Sequence, residues 1–277
     1  MPVQEGPQDG APQDGGPQDG APHDGSGLHQ PLELVTLRCL RDNYAYLLHG
    51  PAGTVLIDAP EATPILIELE ARGWSLDAIL LTHHHDDHIA GVAELVAATG
   101  AQVIGAAADA RRLPPLDLRI APGEPLEVLG EPVAVIDVPG HTIGHVAFHF
   151  PNSGLAFTAD SLMAMGCGRL FEGDADMMWA SLTRLAALPD ETLICSGHDY
   201  CAGNGAFALS VDPENPELQA RLTDIAEARS PCSPATLAVE RATNPFLRAA
   251  HLRDSLGMDG SSDAAVFARL REMKDSF

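Results

Sequence analysis

Leu80-Leu81-Thr82-His83-His84-His85-Asp86-Asp87-His88-Ile89-Ala90-Gly91 is the stretch from which the rest of this chain can be read. The apolar run Ala78–Leu81 is long enough for a short buried strand, and Ile89, Val92, Leu95 and Val96 recur beyond it at helical spacing. The polar cluster between them is therefore a strand-to-helix loop. In extended backbone, residues i and i+2 point to the same side, so His83 and His85 converge on one point while His84 turns away. Asp87 and His88, at the turn into the helix, face a second point displaced from the first. Neutral imidazole together with carboxylate suits zinc, iron or manganese.

Working outward, other strand ends offer the same kinds of side chain. Pro139-Gly140-His141-Thr142-Ile143-Gly144-His145 follows an apolar run ending at Val138; its glycines suit a tight turn presenting His141, with His145 read as a packed, hydrogen-bonded histidine. Asp160 follows Ala156-Phe157-Thr158-Ala159, and its two oxygens can bridge two cations. His198 follows the run Thr192–Cys195. Asp58 ends the run Thr54–Ile57 and serves either as a turn former or as the partner that orients a metal-bound histidine. His83, His85, Asp87, His88, His141, Asp160 and His198 exceed the about three or four ligands that one zinc takes. They suit two ions ~3.5 Å apart sharing an aspartate. Two divalent transition-metal ions are expected, zinc first, with iron or manganese as alternatives.

The 277 residues carry a formal net charge of −23, which argues against non-specific binding to nucleic acid or to an anionic membrane. Lys274 is the single lysine, and arginine supplies the other basic residues. The five cysteines, Cys39, Cys167, Cys195, Cys201 and Cys232, are odd in number and lack C-x-x-C pairs, so no disulfide framework is expected and a reducing cytoplasm is the expected setting. No apolar run approaches the ~18 residues of a membrane span, and the N-terminus lacks the charged and apolar regions of a signal peptide. Residues Gly6–Gly25 repeat a unit of the Gly-Pro-Gln-Asp-Gly/Ala type without a side chain able to build a core, so residues 1–31 are expected to be a disordered tail.

From Leu32 onward, short strands are expected at Leu32–Leu37, Tyr44–Leu48, Thr54–Ile57, Gln102–Ile104, Leu126–Val128, Val133–Val138, Val146–Phe150 and Leu155–Thr158. A helix is expected at Ile65–Leu69 and another from His88. This order of elements predicts a layered α/β sandwich. Pro216–Glu227, Pro245–Leu256 and Asp263–Met273 show helical patterning with no convincing strand among them.

With these residues in hand, the chain resembles the metallo-β-lactamase fold superfamily, through the H-x-H-x-D-H loop, Pro-Gly-His, Asp160 and His198. More narrowly it resembles the glyoxalase II family, the hydroxyacylglutathione hydrolases. That likeness rests on Cys39-Leu40-Arg41-Asp42-Asn43-Tyr44, Gly166-Cys167-Gly168-Arg169-Leu170-Phe171-Glu172-Gly173, Gly197-His198-Asp199-Tyr200, Asn244-Pro245-Phe246-Leu247-Arg248 and Arg271-Glu272-Met273-Lys274-Asp275. The resemblance implies a four-layer αββα sandwich over residues 32–200 and a small all-helical C-terminal domain over 201–277. It implies that His83, His85 and His141 hold one ion, Asp87, His88 and His198 the other, and that Asp160 bridges them, with Asp87 and Asp160 as the catalytic carboxylates.

It further implies that Arg169, Phe171, Tyr200, Arg271 and Lys274 surround the glutathione of a thioester substrate. Arginine suits such a site because its guanidinium binds carboxylates bidentately, although Arg271 and Lys274 would also favour a helix C-terminus electrostatically. Three departures from the family pattern stand out: Phe171 where tyrosine is common, Ala159-Asp160-Ser161-Leu162-Met163 in place of Gly-Asp-Thr-Leu-Phe, and Asp199 where glutamate is common. The expected activity is hydrolysis of S-(2-hydroxyacyl)glutathione by a cytoplasmic monomer. Its rivals are a single-iron glutathione-persulfide dioxygenase and a metallo-hydrolase of another ester, lactone or β-lactam.

Overall fold

The computed structural model describes residues 32–277, so the expectation of a disordered tail lies outside the described residues. The chain opens with β1 (Glu33–Cys39), β2 (Asn43–Gly50) and β3 (Gly53–Ile57), followed by α1 (Thr63–Arg72), β4 (Ala78–Leu81), α2 (Asp86–Ile89), α3 (Val92–Thr99), β5 (Gln102–Ala106) and β6 (Leu118–Ile120). These strands form one sheet in the order β1-β2-β3-β4-β5-β6, antiparallel through β3 and parallel from β3 to β6. Next come β7 (Leu126–Val128), β8 (Glu131–Asp137), β9 (Val146–Phe150), β10 (Leu155–Ala159), the small hairpin β11 (Leu162–Met163) with β12 (Gly166–Cys167), α4 (Ala175–Leu185) and β13 (Leu193–Ser196). The C-terminal region contains α5 (Cys201–Val211), α6 (Pro216–Ala226), β14 (Ala235–Thr236), α7 (Leu237–Thr243), α8 (Ala249–Leu252) and α9 (Asp263–Asp275). The second sheet runs β14-β13-β10-β9-β8-β7.

The layers follow from period-two alternation along the strands. Tyr46 and Leu48 of β2, Leu80 of β4, Val133 and Val135 of β8, and Phe148 and Phe150 of β9 turn inward and form one core between the sheets. Ala45, Leu47, Ile79 and Leu81 turn outward and pack with Ile65 and Leu69 of α1 and Leu95 of α3. On the outer face of the second sheet, Ala147 and Ala156 meet Met178 and Leu182 of α4 and Phe267 and Leu270 of α9. The result is a four-layer sandwich with a helical C-terminal region packed on its second outer face.

Four details differ from the sequence expectations. The C-terminal region expected to be all-helical lends β14 to the second sheet, because the open edge of β13 pairs with Ala235 and Thr236. The helix expected from His88 is divided: α2 ends at Ile89 and α3 starts at Val92, because Gly91 packs on the Glu61–Ala62 backbone, where an added Cβ would lie 2.7 Å from the Glu61 carbonyl carbon. The expected helix Pro245–Leu256 is reduced to α8, since the Asn244 amide is buried against the Met163 and Gly166 carbonyls at 3.0 and 2.9 Å and holds the following residues in a turn. Finally, where no disulfide framework was expected, Cys201 and Cys232 form a disulfide and Cys39, Cys167 and Cys195 stay free. Folding brings the start of α5 against the loop between α6 and β14, a pairing across 31 positions that carries no spacing signature.

Candidate metal centre

The loops that leave β4, β8, β10 and β13 meet at one end of the sandwich, and all seven expected ligands lie there. His83, His85 and His141 offer donor atoms within 4.8 Å of one another, and so do Asp87, His88 and His198. Asp160 lies between the groups: its Oδ2 is 3.4 Å from His141 Nε2 and 3.3 Å from His198 Nε2, and its Oδ1 is 3.5 Å from His88 Nε2. This close approach needs glycine. A Cβ on Gly197 would sit 2.3 Å from Asp160 Oδ1, and one on Gly168 would sit 1.9 Å from the Asp160 carbonyl oxygen.

Each ring is turned by a partner behind it. His88 Nδ1 donates to Asp58 Oδ2 at 2.9 Å, His198 Nδ1 to Asp42 Oδ1 at 3.0 Å, and His141 Nδ1 to the Arg169 carbonyl at 2.9 Å. His83 Nδ1 faces the Thr82 hydroxyl at 3.0 Å, and that hydroxyl donates onward to Asp58 at 2.8 Å. All four rings therefore direct Nε2 into the centre, a partner arrangement that fixes tautomer and orientation in metal sites. Asp58 thus lies behind His88 and Thr82, with both of its carboxylate oxygens engaged. Its φ of 56° lies in the left-handed region, where it also accepts from the Thr82 amide at 2.9 Å.

The centre has the chemistry of a cation site. His83 Nε2 is buried without a hydrogen-bond partner. His141 Nε2 and His85 Nδ1 approach to 2.9 Å, and His88 Nε2 and His198 Nε2 to 3.2 Å. Two imidazole lone pairs meet at such distances when something positive lies between them, and ligands ~2.05 Å from a tetrahedral zinc stand about 3.3 Å apart. Burial holds His83, His85 and His141 below the ordinary histidine range, while His198, hydrogen-bonded to Asp160 and Asp42, is raised against its burial. Burial opposes both protonation of His88 and ionisation of Asp160, yet attraction between the two outweighs it, so that His88 is raised and Asp160 held well below the carboxylate range.

His84 and His145 take no part in either group. His84 points outward and meets Asp109 Oδ2 at 2.9 Å. His145 stacks on His83 at 4.6 Å, donates Nδ1–H to the Val146 carbonyl at 3.1 Å, and is lowered to about 3 by burial and the neighbouring His141. Sequence reasoning missed Asp42 and Asn43. Asn43 is buried and donates to the Asp87 carbonyl at 2.8 Å and to its Oδ2 at 3.2 Å, steering that carboxylate towards His198. The one signal available for both was their position inside the Cys39–Tyr44 motif.

A cavity of about 890 Å³ opens over the cluster, and Arg169, Phe171, Tyr200, Arg271 and Lys274 line it together with the metal-facing side chains. Phe171 stands with its ring edge-on to His85 and His141 at 5.6 and 5.3 Å, and Tyr200 stacks on His198 at 4.6 Å. Lys274 donates to the Gly203 carbonyl at 2.8 Å, while burial and then Arg271 and Arg169 lower its proton affinity. Arg271 is the least free of the group: buried, it donates to the Cys167 carbonyl at 3.0 Å and to Asp275 at 2.7 Å.

Comparison with known proteins agrees with this architecture. Residues 40–198 match the metallo-beta-lactamase superfamily, and residues 199–277 match the hydroxyacylglutathione hydrolase C-terminus. A hydroxyacylglutathione hydrolase of Cereibacter sphaeroides is 60% identical over 254 residues, covering 89% of this chain and 100% of its own. Among solved structures, ETHE1 from Myxococcus xanthus superposes with a TM-score of 0.61 at 24% identity, covering 87% of this chain and 90% of that one. TTHA1623 in a di-iron-bound form superposes with a TM-score of 0.56 at 31% identity, covering 78% of this chain and 100% of that one. A sandwich whose strand-end loops gather histidines and aspartates, continued by a helical region that lends cationic side chains to the same cavity, thus matches its relatives in both parts, and the chain belongs to the hydroxyacylglutathione hydrolase family of the metallo-β-lactamase superfamily.

Proposed function

We propose that this protein hydrolyses S-(2-hydroxyacyl)glutathione thioesters, chiefly S-D-lactoylglutathione, to glutathione and a 2-hydroxy acid, as a step in methylglyoxal detoxification in the cytoplasm. The observation that carries this reading is one cavity holding both the His/Asp cluster and the cationic side chains of Arg169, Arg271 and Lys274. The fold implies a dinuclear divalent metal site. His83, His85 and His141 would hold one ion and Asp87, His88 and His198 the other, with Asp160 shared; zinc suits these donors first, then iron or manganese. When bound, such ions ionise a water near neutral pH and polarise the thioester carbonyl.

The chain's own residues supply position. Asp58, Asp42 and the Arg169 carbonyl hold the rings of His88, His198 and His141 in register, and Asn43 holds Asp87. Lys274 and Arg169 receive the glutathione carboxylates, and Phe171 and Tyr200 flank the thioester and limit the access of bulk water. Glutathione leaves as a thiolate, the base of a thiol with pKa ~8.5, so its departure requires no protonating residue. The test is hydrolysis of S-D-lactoylglutathione by the purified full chain, with metal analysis of the same sample. Oxygen consumption with glutathione persulfide and a single iron per chain, in place of thioester cleavage, would move the chain to the dioxygenase reading.

A further inference from the structure

The disulfide stands beside the substrate cavity. Cys201 is the first residue of α5 and follows Tyr200 directly, while Cys232 lies in the loop between α6 and β14. Both line a second cleft of about 380 Å³, with Arg38 and Arg229 among its walls, and Asp199 borders this cleft and the metal cavity alike. Each of the two cysteines is 8% exposed, against 6% for Cys167, 2% for Cys39 and 0% for Cys195, so it is the bridge itself, not exposure, that sets the pair apart. Burial pushes the thiols of Cys39 and Cys167 up to about 12 and about 11, and that of Cys195 higher still, so these three stay protonated and inert.

We propose that Cys201–Cys232 is a thiol–disulfide exchange site for glutathione, opened by the thiol and closed by glutathione disulfide, and that its state sets the affinity of the neighbouring cavity for substrate. The proposal rests on the glutathione reading of that cavity, since catalysis releases this thiol next to the bond. A glutathione thiolate attacks Cys232 Sγ, forming a mixed disulfide and breaking the bond to Cys201. Cys201 leaves as a thiolate at the positive end of the α5 dipole. A second glutathione thiolate attacks the glutathione sulfur of the mixed disulfide, releasing Cys232 as thiolate and glutathione disulfide. The two protein thiolates take up the two protons lost by glutathione. The reverse sequence, with glutathione disulfide as oxidant, restores the bridge.

The two sides of the bridge are held unequally. On one side the loop stays seated without it, because the Ser196 amide donates to Ser233 Oγ at 3.1 Å and Tyr46 OH lies 3.4 Å from the same oxygen. Arg221, paired with Glu240, also reaches the Cys232 carbonyl at 3.4 Å. On the other side, α5 begins at Cys201 with no side-chain cap from Tyr200, and the side-chain hydrogen bond from its first turn to the sandwich is from Asn204 Nδ2 to the Ala164 carbonyl at 3.0 Å. Opening therefore loosens Tyr200 and the first turn of α5, the turn whose Gly203 carbonyl receives Lys274.

The experiment equilibrates the metal-loaded full chain in buffers ranging from mostly oxidised to mostly reduced glutathione. Free thiols are blocked and located by mass spectrometry, and KM and kcat are measured in each buffer. Cys201 and Cys232 are expected to become labelled together as glutathione is reduced, with a glutathionyl adduct on Cys232 at intermediate ratios and no label on Cys39, Cys167 or Cys195. KM for a glutathione thioester is expected to rise several-fold on opening while kcat changes less, and Cys232→Ser is expected to show the raised KM in every buffer. Labelling of the pair in all buffers or in none, or a KM indifferent to the state of the bridge, overturns the proposal. Should Cys232→Ser fail to fold, labelling and KM of the parent chain still decide. Labelling does not depend on turnover, so failure of this site is separable from failure of the thioesterase reading.

Discussion

Asp160 is held below the usual carboxylate range although it is buried, because His88 and His198 face its two oxygens. Asp160→Asn keeps the shape and removes the charge. Turnover is expected to fall by more than the ~10–100-fold typical of residues that merely orient ligands, with metal content falling alongside and KM changing less. Wild-type turnover in this variant, measured together with its metals, would remove Asp160 from the mechanism. Lys274 makes a pH prediction. Burial, with Arg271 and Arg169 and against Asp275, lowers it below the ordinary lysine value of ~10.4. Between its folded and unfolded values the unfolded chain binds more protons, so this residue's contribution to stability rises with pH across that window. The charge it offers a substrate carboxylate falls over the same window. KM for glutathione thioesters is therefore expected to climb on the alkaline side earlier in the parent than in Lys274→Arg, and superimposable profiles would exclude Lys274 from binding. Lys274→Ala should raise KM by about tenfold, the equivalent of a charge-assisted contact of ~1.5 kcal/mol, and leave a small thioester without carboxylates unaffected. Arg271→Ala is a poorer probe, because it also strands the buried Cys167 carbonyl. The candidate ligands were legible in sequence because each group of them follows an apolar run. Asp42 and Asn43 were not, because they act on His198 and Asp87 across 156 and 44 positions and only the folded register brings them there.

Four loops at the end that carries the expected ligands are joined by side chains beside them, of which His84 also stands edge-on to the His85 ring at 5.0 Å. His84 and Arg112 both meet Asp109, at 2.9 and 2.5 Å; Arg112 also pairs with Glu172, and Glu172 accepts the Ile143 amide at 2.8 Å. The loop after β4, the residues beyond β5, the turn that carries His141 and the segment that carries Phe171 are thereby tied together. Arg112→Ala is expected to raise KM for glutathione thioesters several-fold with a small change in thermal midpoint, since a partly exposed ion pair contributes only ~0–1 kcal/mol. Arg112→Lys should restore part of the loss. Equal loss on a small thioester would show that the network supports the metal loops rather than the glutathione wall. Among the elements, strands such as β4, β9 and β10 were readable because short apolar runs between turn residues leave few alternatives. The C-terminal region was harder. α5 carries apolar and small residues around its whole circumference, and β14, two residues long, exists only because β13 offers an open edge to Ala235 and Thr236. The disulfide was illegible for the same reason: its partners meet through the packing of α5 against the α6–β14 loop.

Across the whole molecule, the expected ligands come from both halves of the sandwich: His83, His85, Asp87 and His88 follow β4 of the first sheet, whereas His141, Asp160 and His198 follow β8, β10 and β13 of the second. Ions bound there stabilise the folded form by mass action. Chelation is expected to lower the thermal midpoint, and added zinc to raise it progressively; a midpoint indifferent to metal would show that the sheets do not depend on the site. Deleting Met1–Gly25 should leave midpoint and turnover nearly unchanged, as the composition of that repeat implies, and a large fall in either would show that it packs on the body. The division of ligands between sheets also bears on synthesis. A nascent chain that has emerged only through β6 carries His83, His85, Asp87 and His88 without the aspartate and the two histidines that close both groups, so it presents a weak, open chelating surface. The full site exists only after His198 has left the ribosome and β13 has joined β10. If these seven residues hold the ions, metal capture is a late event in the life of each chain, and in metal-depleted cells metal analysis should find finished but empty protein rather than arrested or degraded nascent chains.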